Sequence, residues 1–484
     1  MDRRNVLKLT AFAGATGALT LGGVTSARSA TGAAETHRIT GRLPAGAPDY
    51  VYLPVEVPRG VREIAVSYTY DRPAVPAGIH GNACDIGIFD ERGTGLGGAG
   101  FRGWSGGART EFSIGAERAT PGYLAGPVRP GTWHIVLGPY TVAPQGLAYE
   151  VTVTLRYGPA GTAPAAVFPP QRARGRGRAW YRGDGHLHSV HSDGLRTPAE
   201  IAAAARAAGL DWIVTTEHNT TSGHGAWDGL WGDDLLVLTG EEITTRNGHV
   251  LALATDPGTF VDWRYRARDG VFPRFARAVH RAGGLVVPAH PFATCPACNW
   301  KFGFDEADAV EVWNGPWTPD DETAVAAWDA LLATGRRLPA MGNSDAHREP
   351  QTVGLPQTVV LADDLSRPAL LSALRAGRSW IAESSSVRLS FGATGSHGGH
   401  AGIGGHLADP EATVRLETAG VPAGCTASLI TDQGPMLTAP VPADGRLEWR
   451  TTAARAAYVR AEVRRPGGAM VALTNPVFLD SGRS

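Results

Sequence analysis

The alternation of apolar and polar positions divides the chain into two β-rich segments with a segment of mixed character between them. From residue 36 to residue 158, runs such as Tyr50–Val57 and Tyr149–Leu155 alternate apolar with polar side chains, and glycine and proline turns separate them. A period of two is typical of strands with one buried face. We therefore expect a jelly-roll-like β-sandwich over residues 36–158.

The pattern changes after residues 159–178, a stretch rich in Ala, Pro, Gly and Arg that lacks periodicity and indicates a linker. Beyond it, short apolar runs alternate with helical patterns. The sequence Thr197-Pro198-Ala199-Glu200 supplies an N-cap, a first-turn proline and an early acidic residue, which predict a helix ending at Gly209. Further helical patterns lie around residues 272–283, 321–335 and 367–377. A mainly parallel sheet with crossover helices is expected over residues 179–384.

Alternating strands return from about residue 385, as in Thr413–Glu417 and Tyr458–Val463. They predict a small C-terminal β-sandwich over residues 385–480. The expected fold class is therefore multidomain, with an α/β unit flanked by two all-β units.

Composition and charge narrow the range of partners. A length of 484 residues and a hydrophobic content of 43% are sufficient for two or three domains with substantial cores. The formal net charge of −1 offers no broad basic field, so extended nucleic-acid binding is not expected, although a local patch could bind a short phosphate ester. The run Arg172–Arg178 has no aromatic interleaving and is interpreted as a solvated spacer rather than a nucleic-acid patch. A small-molecule ester is the favoured partner.

The N-terminal residues indicate export. Arg3 and Arg4 precede an apolar stretch from Leu9 to about Val24, and small residues follow to Ala30. Residues 1–30 are interpreted as a twin-arginine signal peptide, with a frayed N-terminal helix as the alternative. The expected partner is the twin-arginine export machinery, and the expected location is extracellular or periplasmic. No later apolar run reaches the ~18 residues of a membrane span, so no transmembrane anchor is expected after signal removal. The oligomeric state stays open.

Histidines and carboxylates gather at the ends of apolar runs between Asp184 and His347. Nine of the chain's 15 histidines lie in this part. It begins with Asp184-Gly185-His186-Leu187-His188 and ends with Asn343-Ser344-Asp345-Ala346-His347. Side chains two residues apart on a strand point to the same side, so each of these pairs can face one group of ions. Imidazole and carboxylate are ligands for divalent cations, and the pattern predicts a polynuclear metal site.

Similar motifs follow in order between these two: Ser192-Asp193-Gly194, Thr215-Thr216-Glu217-His218, Gly240-Glu241-Glu242, Gly248-His249-Val250 and Ala289-His290-Pro291. Over residues 179–384 their order resembles the PHP (polymerase and histidinol phosphatase) domain of metal-dependent hydrolases, and in detail its exported CehA/McbA branch. The resemblance implies a distorted, TIM-like (β/α)7 barrel. It also implies two or three divalent ions, zinc, manganese or iron, held by His186, His188, Asp193, His218, Glu242, His249, His290, Asp345 and His347.

The chemistry implied by this resemblance is hydrolysis by a metal-activated water. Asp345, His347, His218 and Glu242 are the expected catalytic residues. Glu242 bridges two ions in this interpretation, and Glu241 points to the other face of its strand. His280 is interpreted as a helix-surface or packing residue, and His191 either as a group that supports the ligands or as an ordinary polar residue.

The substrate class is left between two alternatives. Most PHP relatives hydrolyse phosphate esters, and Arg196, Arg246 and Lys301 lie in loops where they could clamp a phosphate or simply be solvated. The CehA/McbA resemblance instead implies a carbamate or carboxylic ester, for which Trp300, Trp313 and Trp317 could line an aryl pocket or pack in the core. Asn314 is a candidate for orienting ligands or substrate.

Cys295 and Cys298 follow His290 closely and are expected to form a local disulfide in an exported protein, while Cys84 and Cys425 are not expected to pair. The alternative from another functional class is a secreted binding protein with a structural metal centre. Nine converging candidate ligands argue against it, because structural sites close their coordination with four.

Overall fold

The computed structural model describes residues 20–28 and 33–480. Nine strands make up the N-terminal unit: β1 (Thr20–Arg28), β2 (Ala34–Leu43), β3 (Val51–Val57), β4 (Val61–Tyr70), β5 (Ala83–Phe89), β6 (Phe101–Gly106), β7 (Glu111–Gly115), β8 (Gly131–Thr141) and β9 (Leu147–Tyr157).

These strands form a β-sandwich, as their alternation predicts. One sheet has the order β1-β2-β9-β4-β7 and the other the order β3-β8-β5-β6. Alternate side chains of β9 are buried, and the core between the sheets includes Leu53, Ile86, Trp133 and Val153. β1 pairs antiparallel with β2, although its residues fall in the segment interpreted as a signal peptide. Residues 1–19 of that segment lie outside the described residues.

The central unit contains ten strands and four α-helices: β10 (Ala179–Asp184), α1 (Pro198–Ala207), β11 (Trp212–Thr215), β12 (Leu236–Thr239), β13 (Glu241–Thr245), β14 (Gly248–Leu253), α2 (Phe272–Arg281), β15 (Leu285–Ala289), β16 (Val310–Asn314), α3 (Pro319–Ala333), β17 (Ala340–Asn343), β18 (Gln357–Ala362), α4 (Arg367–Arg375) and β19 (Ser379–Ala382). All four predicted helices are confirmed. Thr197 and Glu200 form the capping box of α1.

The expected (β/α)7 barrel is not observed, and the described chain is mostly β-sheet. β10, β11 and β12 are parallel, but β13, β14 and β15 form a separate antiparallel sheet, and β16 pairs only with β17. The physical reason lies in the turn after Thr245, where Gly248 has a φ of 108°. Such a tight turn joins antiparallel strands and leaves no room for a crossover helix.

The C-terminal part adds ten strands: β20 (Arg388–Gly395), β21 (His400–Gly402), β22 (His406–Ala408), β23 (Glu411–Ala419), β24 (Thr426–Thr431), β25 (Gly434–Pro440), β26 (Arg446–Thr452), β27 (Tyr458–Arg464), β28 (Met470–Thr474) and β29 (Val477–Asp480). Two layers are present, but the C-terminal unit is not separate. β28 pairs with β19, so β27, β24 and β25 extend the sheet of the central unit.

The central unit is also continuous with the N-terminal sandwich. Phe101 stacks on Phe260 with ring centroids 4.0 Å apart, and Trp104 lies 4.8 Å from Trp263 in the same apolar cluster. Three arginines of the linker form ion pairs rather than a purely solvated spacer: Arg172 with Asp364 at 2.7 Å, Arg176 with Asp211 at 2.6 Å and Arg178 with Asp363 at 2.5 Å. Within residues 20–28 and 33–480, no helix has the length and apolar composition needed to cross a bilayer.

Candidate metal centre

The structure brings all nine sequence-predicted ligands into four overlapping groups. Within each group one nitrogen or oxygen atom per residue lies within 4.8 Å of the others. The residues follow or lie within strands of the central unit: His186, His188 and Asp193 after β10, His218 after β11, Glu242 on β13, His249 on β14, His290 after β15, and Asp345 and His347 after β17.

Two histidines and two carboxylates, drawn from two of these groups, form the innermost set of ligand atoms. Nε2 of His186 lies 3.3 Å from Oε2 of Glu242 and 3.3 Å from Oδ1 of Asp345. Nε2 of His188 lies 3.3 Å and 3.1 Å from the same two oxygens. Both imidazoles and Glu242 are fully buried. Each of the two nitrogens therefore lies within 3.3 Å of both oxygens, close enough for the four atoms to share one ion.

Glu242 belongs to a second group through its other oxygen. Oε1 lies 2.9 Å from Nδ1 of His249 and 3.2 Å from Nε2 of His290. One carboxylate thus presents one oxygen to each group, which is the arrangement of a bridging ligand. Glu241 faces away, and its Oε2 accepts a hydrogen bond from the backbone N–H of Val261 at 2.8 Å.

The third group opens toward solvent. Oδ1 of Asp193 lies 3.4 Å from Nε2 of His218 and 3.3 Å from Nε2 of His347. The ring of His188 stacks against both of those imidazoles, with ring centroids 4.2 Å and 4.1 Å away. The Asp193 side chain is 46% exposed, so solvent reaches the cluster on this side.

Several ligand atoms lack hydrogen bonds and have the chemistry of metal ligands. Six buried side-chain atoms of the cluster have no hydrogen-bond partner among the described residues: Nε2 of His186, His188 and His249, Nδ1 of His290, Oε2 of Glu242 and Oδ1 of Asp345. Leaving buried polar atoms unpaired costs about 1–3 kcal/mol each. A cation between Nε2 of His186, Nε2 of His188, Oε2 of Glu242 and Oδ1 of Asp345 would satisfy these four, because imidazole nitrogens and carboxylate oxygens are its usual ligands.

The electrostatics of the cluster show how strongly its charges interact. Burial lowers the pKa of His218, but Glu242 and Asp193 outweigh burial and raise that pKa to about 10. Burial raises the pKa of Glu242, yet His218, His186 and His249 hold it well below its ordinary value. The pKa of Asp345 is likewise held well below its usual range by facing imidazoles. The carboxylates are therefore ionised and ready to bind cations.

Glu311 is a buried carboxylate that the sequence interpretation did not identify. It accepts hydrogen bonds from Nδ1 of His186 at 3.1 Å and from the backbone N–H of His290 at 2.8 Å. Nδ2 of Asn314 and Nδ2 of Asn343 each donate to it at 2.9 Å. An acceptor behind a histidine fixes the ring and its tautomer, so Glu311 orients His186.

Glu217 and Asp184 act in a similar supporting position. The Glu217 carboxylate accepts from Ser192 Oγ at 2.5 Å, and that hydroxyl lies 3.3 Å from Nδ1 of His188. Asp184 accepts from the backbone N–H groups of Ser344 and Gly354, which ties β10 to the loop that bears Asp345. Burial raises the pKa of Asp184 to about 6.

Two of the predicted ligands lie in the left-handed backbone region. The φ angle is 28° at His290 and 48° at Asp345. This conformation costs a non-glycine residue about 1–3 kcal/mol and persists where neighbouring contacts enforce it. Here the backbone N–H of Asp345 donates to the His186 carbonyl at 2.9 Å. Backbone strain is thus concentrated at the cluster.

Of the five predicted substrate contacts, the structure brings only Asn314 against the cluster, where its Nδ2 lies 3.4 Å from Oδ2 of Asp345. Arg196 pairs with Glu349 at 2.6 Å. Lys301 contacts Asn299.

The other two candidates have structural partners. Arg246 donates to the carbonyl of Gly138 at 3.2 Å. Trp313 is buried and donates to the carbonyl of Gly315 at 2.9 Å, so it is a core residue. Trp300 is buried as well and donates to the carbonyl of Gly303 at 2.6 Å, so it too has a structural partner.

The structure also places the four cysteines and His280. Cys295 and Cys298 form a disulfide, and Cys84 and Cys425 are buried free thiols. His280 is half-exposed and pairs with Asp308 at 2.7 Å.

Comparisons with known proteins show similarity to parts of this chain. A family model described as PHP-associated matches residues 330–379, which include Asp345 and His347. No curated protein matches the chain. One similar solved structure is a two-domain protein from Bacteroides vulgatus, described as containing a predicted PHP-like metal-dependent phosphoesterase. It is 16% identical to this chain, with a TM-score of 0.36, and the match covers 65% of this chain and 100% of that protein.

Two further solved structures are similar to parts of the chain. A putative metal-dependent phosphoesterase from Bifidobacterium adolescentis is 21% identical over 43% of this chain and 96% of its own, with a TM-score of 0.28. An amidohydrolase from Chromobacterium violaceum, solved with bound sulfate and no metal, is 19% identical over 36% of this chain and 89% of its own, with a TM-score of 0.25.

Proposed function

We propose that this chain is a metal-dependent hydrolase of small phosphate esters or short phosphodiesters that binds two or three divalent ions in the nine-residue cluster. The observation behind the proposal is the convergence of two buried imidazole nitrogens, of His186 and His188, on one oxygen each of Glu242 and Asp345, all four without a hydrogen-bond partner among the described residues. A structural site would close around one ion with four ligands, whereas these groups overlap and share Glu242.

Each part of the cluster has a distinct task in this proposal. His186, His188 and Asp345 hold the innermost position together with Glu242, which also faces His249 and His290. Bound zinc, manganese or iron would supply Lewis acidity and a water of lowered pKa.

Asp193, His218 and His347 form the face that substrate reaches, because they lie on the open side. Glu311 and Glu217 keep the inner imidazoles in register for this chemistry.

The phosphate preference follows from charge. A polynuclear cation site neutralises the oxygens of a phosphoryl group as negative charge develops, without a protein cation. A second candidate, carbamate or carboxylic ester hydrolysis of the CehA/McbA kind, is favoured by one observation. Arg196 and Arg246 are engaged with Glu349 and Gly138, so neither guanidinium is presented as a free phosphate clamp.

The test compares 4-nitrophenyl phosphate, 4-nitrophenyl acetate and 4-nitrophenyl N-methylcarbamate, which share a leaving group. Protein is stripped with chelator and reloaded with zinc, manganese or ferrous iron, and metal content is measured. We expect metal-dependent turnover, fastest with the phosphate, and a loss of several orders of magnitude in His188→Ala. His280→Ala is the matched control, because His280 lies outside the cluster.

The outcomes separate the alternatives. Faster turnover of the acetate or the carbamate would replace the phosphate proposal with the second candidate. Absence of turnover for all three substrates with every ion would refute the hydrolase and favour a secreted binding protein. Full activity of His188→Ala would contradict the proposed ligand set.

We further propose export by the twin-arginine pathway to an extracellular or periplasmic location. Arg3 and Arg4 precede the apolar stretch, and the Cys295–Cys298 disulfide fits an oxidising compartment. Replacement of both arginines by lysine should retain the chain in the cytoplasm of its host, as measured by cell fractionation. Unchanged export of this variant would contradict the proposal.

A further inference from the structure

A cavity of about 260 Å³ lies between the central unit and the C-terminal part of the chain. Its walls come from the end of α3 and the loop after it, the end of α4, and the segments that contain β22 and β29. Pro339 lines this cavity just before β17, whereas Asp345 follows the other end of that strand. The 4 residues of β17 span about 13 Å, so the cavity is separate from the metal cluster.

Apolar side chains form much of the cavity wall. Leu332, Leu338 and Phe478 belong to the apolar cluster that joins α3 and β16 to the C-terminal strands, and Pro339 and Pro476 also line the cavity. An apolar group placed against these side chains would leave water, which is favourable. The volume lies below the range of about 300–1,000 Å³ that is typical of sites for drug-sized molecules, so the cavity fits a smaller molecule.

Arg337 brings a positive charge to this cavity without a counter-charge. Its guanidinium carbon lies 4.8 Å from the centroid of the Phe478 ring, and its Nη1 donates to Nε2 of His406 at 2.7 Å. Within the described part of the chain Arg337 forms no ion pair with a carboxylate, and the residues that line the cavity include no Asp or Glu. The charge of Arg337 is therefore available to an anion.

His406 holds this guanidinium without neutralising it. The imidazole stacks on the Phe478 ring with ring centroids 5.1 Å apart. Burial and the charge of Arg337 lower the pKa of His406, against the opposing effect of Asp480, and this favours the neutral imidazole. Arg337 thus has a partner that fixes its position and leaves its charge unchanged.

The second arginine of the wall is already engaged. Nη2 of Arg375 donates to the carbonyl of Gly284 at 3.0 Å, and its Nε lies 3.7 Å from Oδ1 of Asp308. The guanidinium of Arg337 is therefore the one that remains for a ligand. Its planar fork of N–H donors matches the two oxygens of a carboxylate. One such cation beside an apolar wall suits an anion of single charge that carries an apolar body.

We propose that this cavity binds a small organic monocarboxylate, whose carboxylate pairs with Arg337 and whose apolar body lies against Leu338 and Phe478. The site is distinct from the metal cluster, and the inference does not depend on the proposed hydrolysis.

The test uses phenylacetate, which joins a carboxylate to a ring, and compares it with uncharged phenylacetamide and with acetate, which has no ring. Titration of the metal-loaded full chain, followed by NMR of the probe, should show phenylacetate binding at least about tenfold more tightly than either analogue. Arg337→Met keeps the length of the side chain but removes its charge, and we expect the affinity for phenylacetate to fall by at least about tenfold. Arg450→Met, whose side chain is 83% exposed, is the matched control.

A second variant tests the cavity without removing a charge. Ala376 lines the cavity at an exposed position, so Ala376→Trp should obstruct the cavity and weaken phenylacetate binding while the core stays intact. Thermal unfolding of both variants without the probe identifies any loss of fold. If Arg337→Met unfolds, the result with Ala376→Trp decides.

Three outcomes would overturn the inference. Equal affinity for phenylacetate and phenylacetamide would show that the carboxylate is not recognised. Unchanged binding of phenylacetate in Arg337→Met and in Ala376→Trp would place the probe outside this cavity. Binding that disappears with chelator or in His188→Ala would place the carboxylate at the metal cluster instead. Binding that survives chelator and is lost in Arg337→Met supports the inference, whether or not the protein hydrolyses any ester.

Discussion

The carboxylate of Glu311 accepts a hydrogen bond from Nδ1 of His186 at 3.1 Å, with both side chains fully enclosed. This contact turns Nε2 of His186 toward Glu242 and Asp345. The position of the innermost predicted ligand thus depends on a residue that is not itself within the metal-ligand groups.

Replacement Glu311→Gln should weaken metal binding. Glutamine keeps the volume but loses the charge that raises the basicity of the His186 imidazole, and such changes lower metal affinity by about 10- to 100-fold. Isothermal titration of the stripped protein with zinc and manganese measures the effect. Glu411→Gln, at an exposed position, is the control. Unaltered affinity in Glu311→Gln would show that His186 does not depend on this contact.

The same Glu→Gln substitution should affect activity very differently at Glu242 and at the adjacent Glu241. Glu242→Gln removes the shared carboxylate, and we expect hydrolysis to fall by at least about 1000-fold. Burial raises the pKa of Glu241 well above its ordinary value, which favours the neutral carboxyl group, and glutamine is a close replacement for that form. We expect Glu241→Gln to keep activity within about threefold of wild type and to unfold at a similar temperature. Comparable losses in the two variants would contradict the bridging role of Glu242.

The ligand candidates could be found from the sequence because the signals are local. His186 and His188, for example, share a side of the chain just after an apolar run. Glu311 could not be found in this way, because three of the groups that hydrogen-bond to it, on His186, His290 and Asn343, are distant in sequence. One signal was present: Glu311 stands inside the apolar run Val310–Trp313, and a charge buried there requires partners.

The fold was predictable only in part for a related reason. Helix starts such as Thr197 depend on neighbouring residues, and they were correctly predicted. Strand pairing depends on chain direction, and a short apolar run has the same pattern in a parallel or an antiparallel sheet. For β13 and β14, the tight turn between Thr245 and Gly248 makes the pairing antiparallel. The pairing of β19 with β28 joins residues about ninety positions apart and leaves no local pattern.

Removal of the Cys295–Cys298 disulfide should loosen the loop that follows His290. For the double variant Cys295→Ser/Cys298→Ser we expect a loss of at most about 2 kcal/mol in the free energy of unfolding, because the closed loop is short. Limited proteolysis should show faster cleavage within residues 292–300. Denaturant unfolding measures the stability change, and wild type with and without reductant is the comparison. Identical cleavage in all samples would show that other contacts, such as Tyr140 to Pro296, hold the loop.

His224 should make the protein sensitive to acid. Its ring is buried between the carbonyl of Gly240 and the backbone N–H of Gly258. Burial lowers the pKa of His224 from 6.5 to about 4. Between these values the unfolded chain binds a proton that the folded chain does not, so stability falls as pH decreases through this window. The full contribution is about 3 kcal/mol. Denaturant unfolding with chelator present should show a shallower pH dependence for His224→Gln than for wild type, while His80→Gln, at an exposed position, should match wild type. Equal slopes for His224→Gln and wild type would show that this histidine is not held neutral in the folded protein.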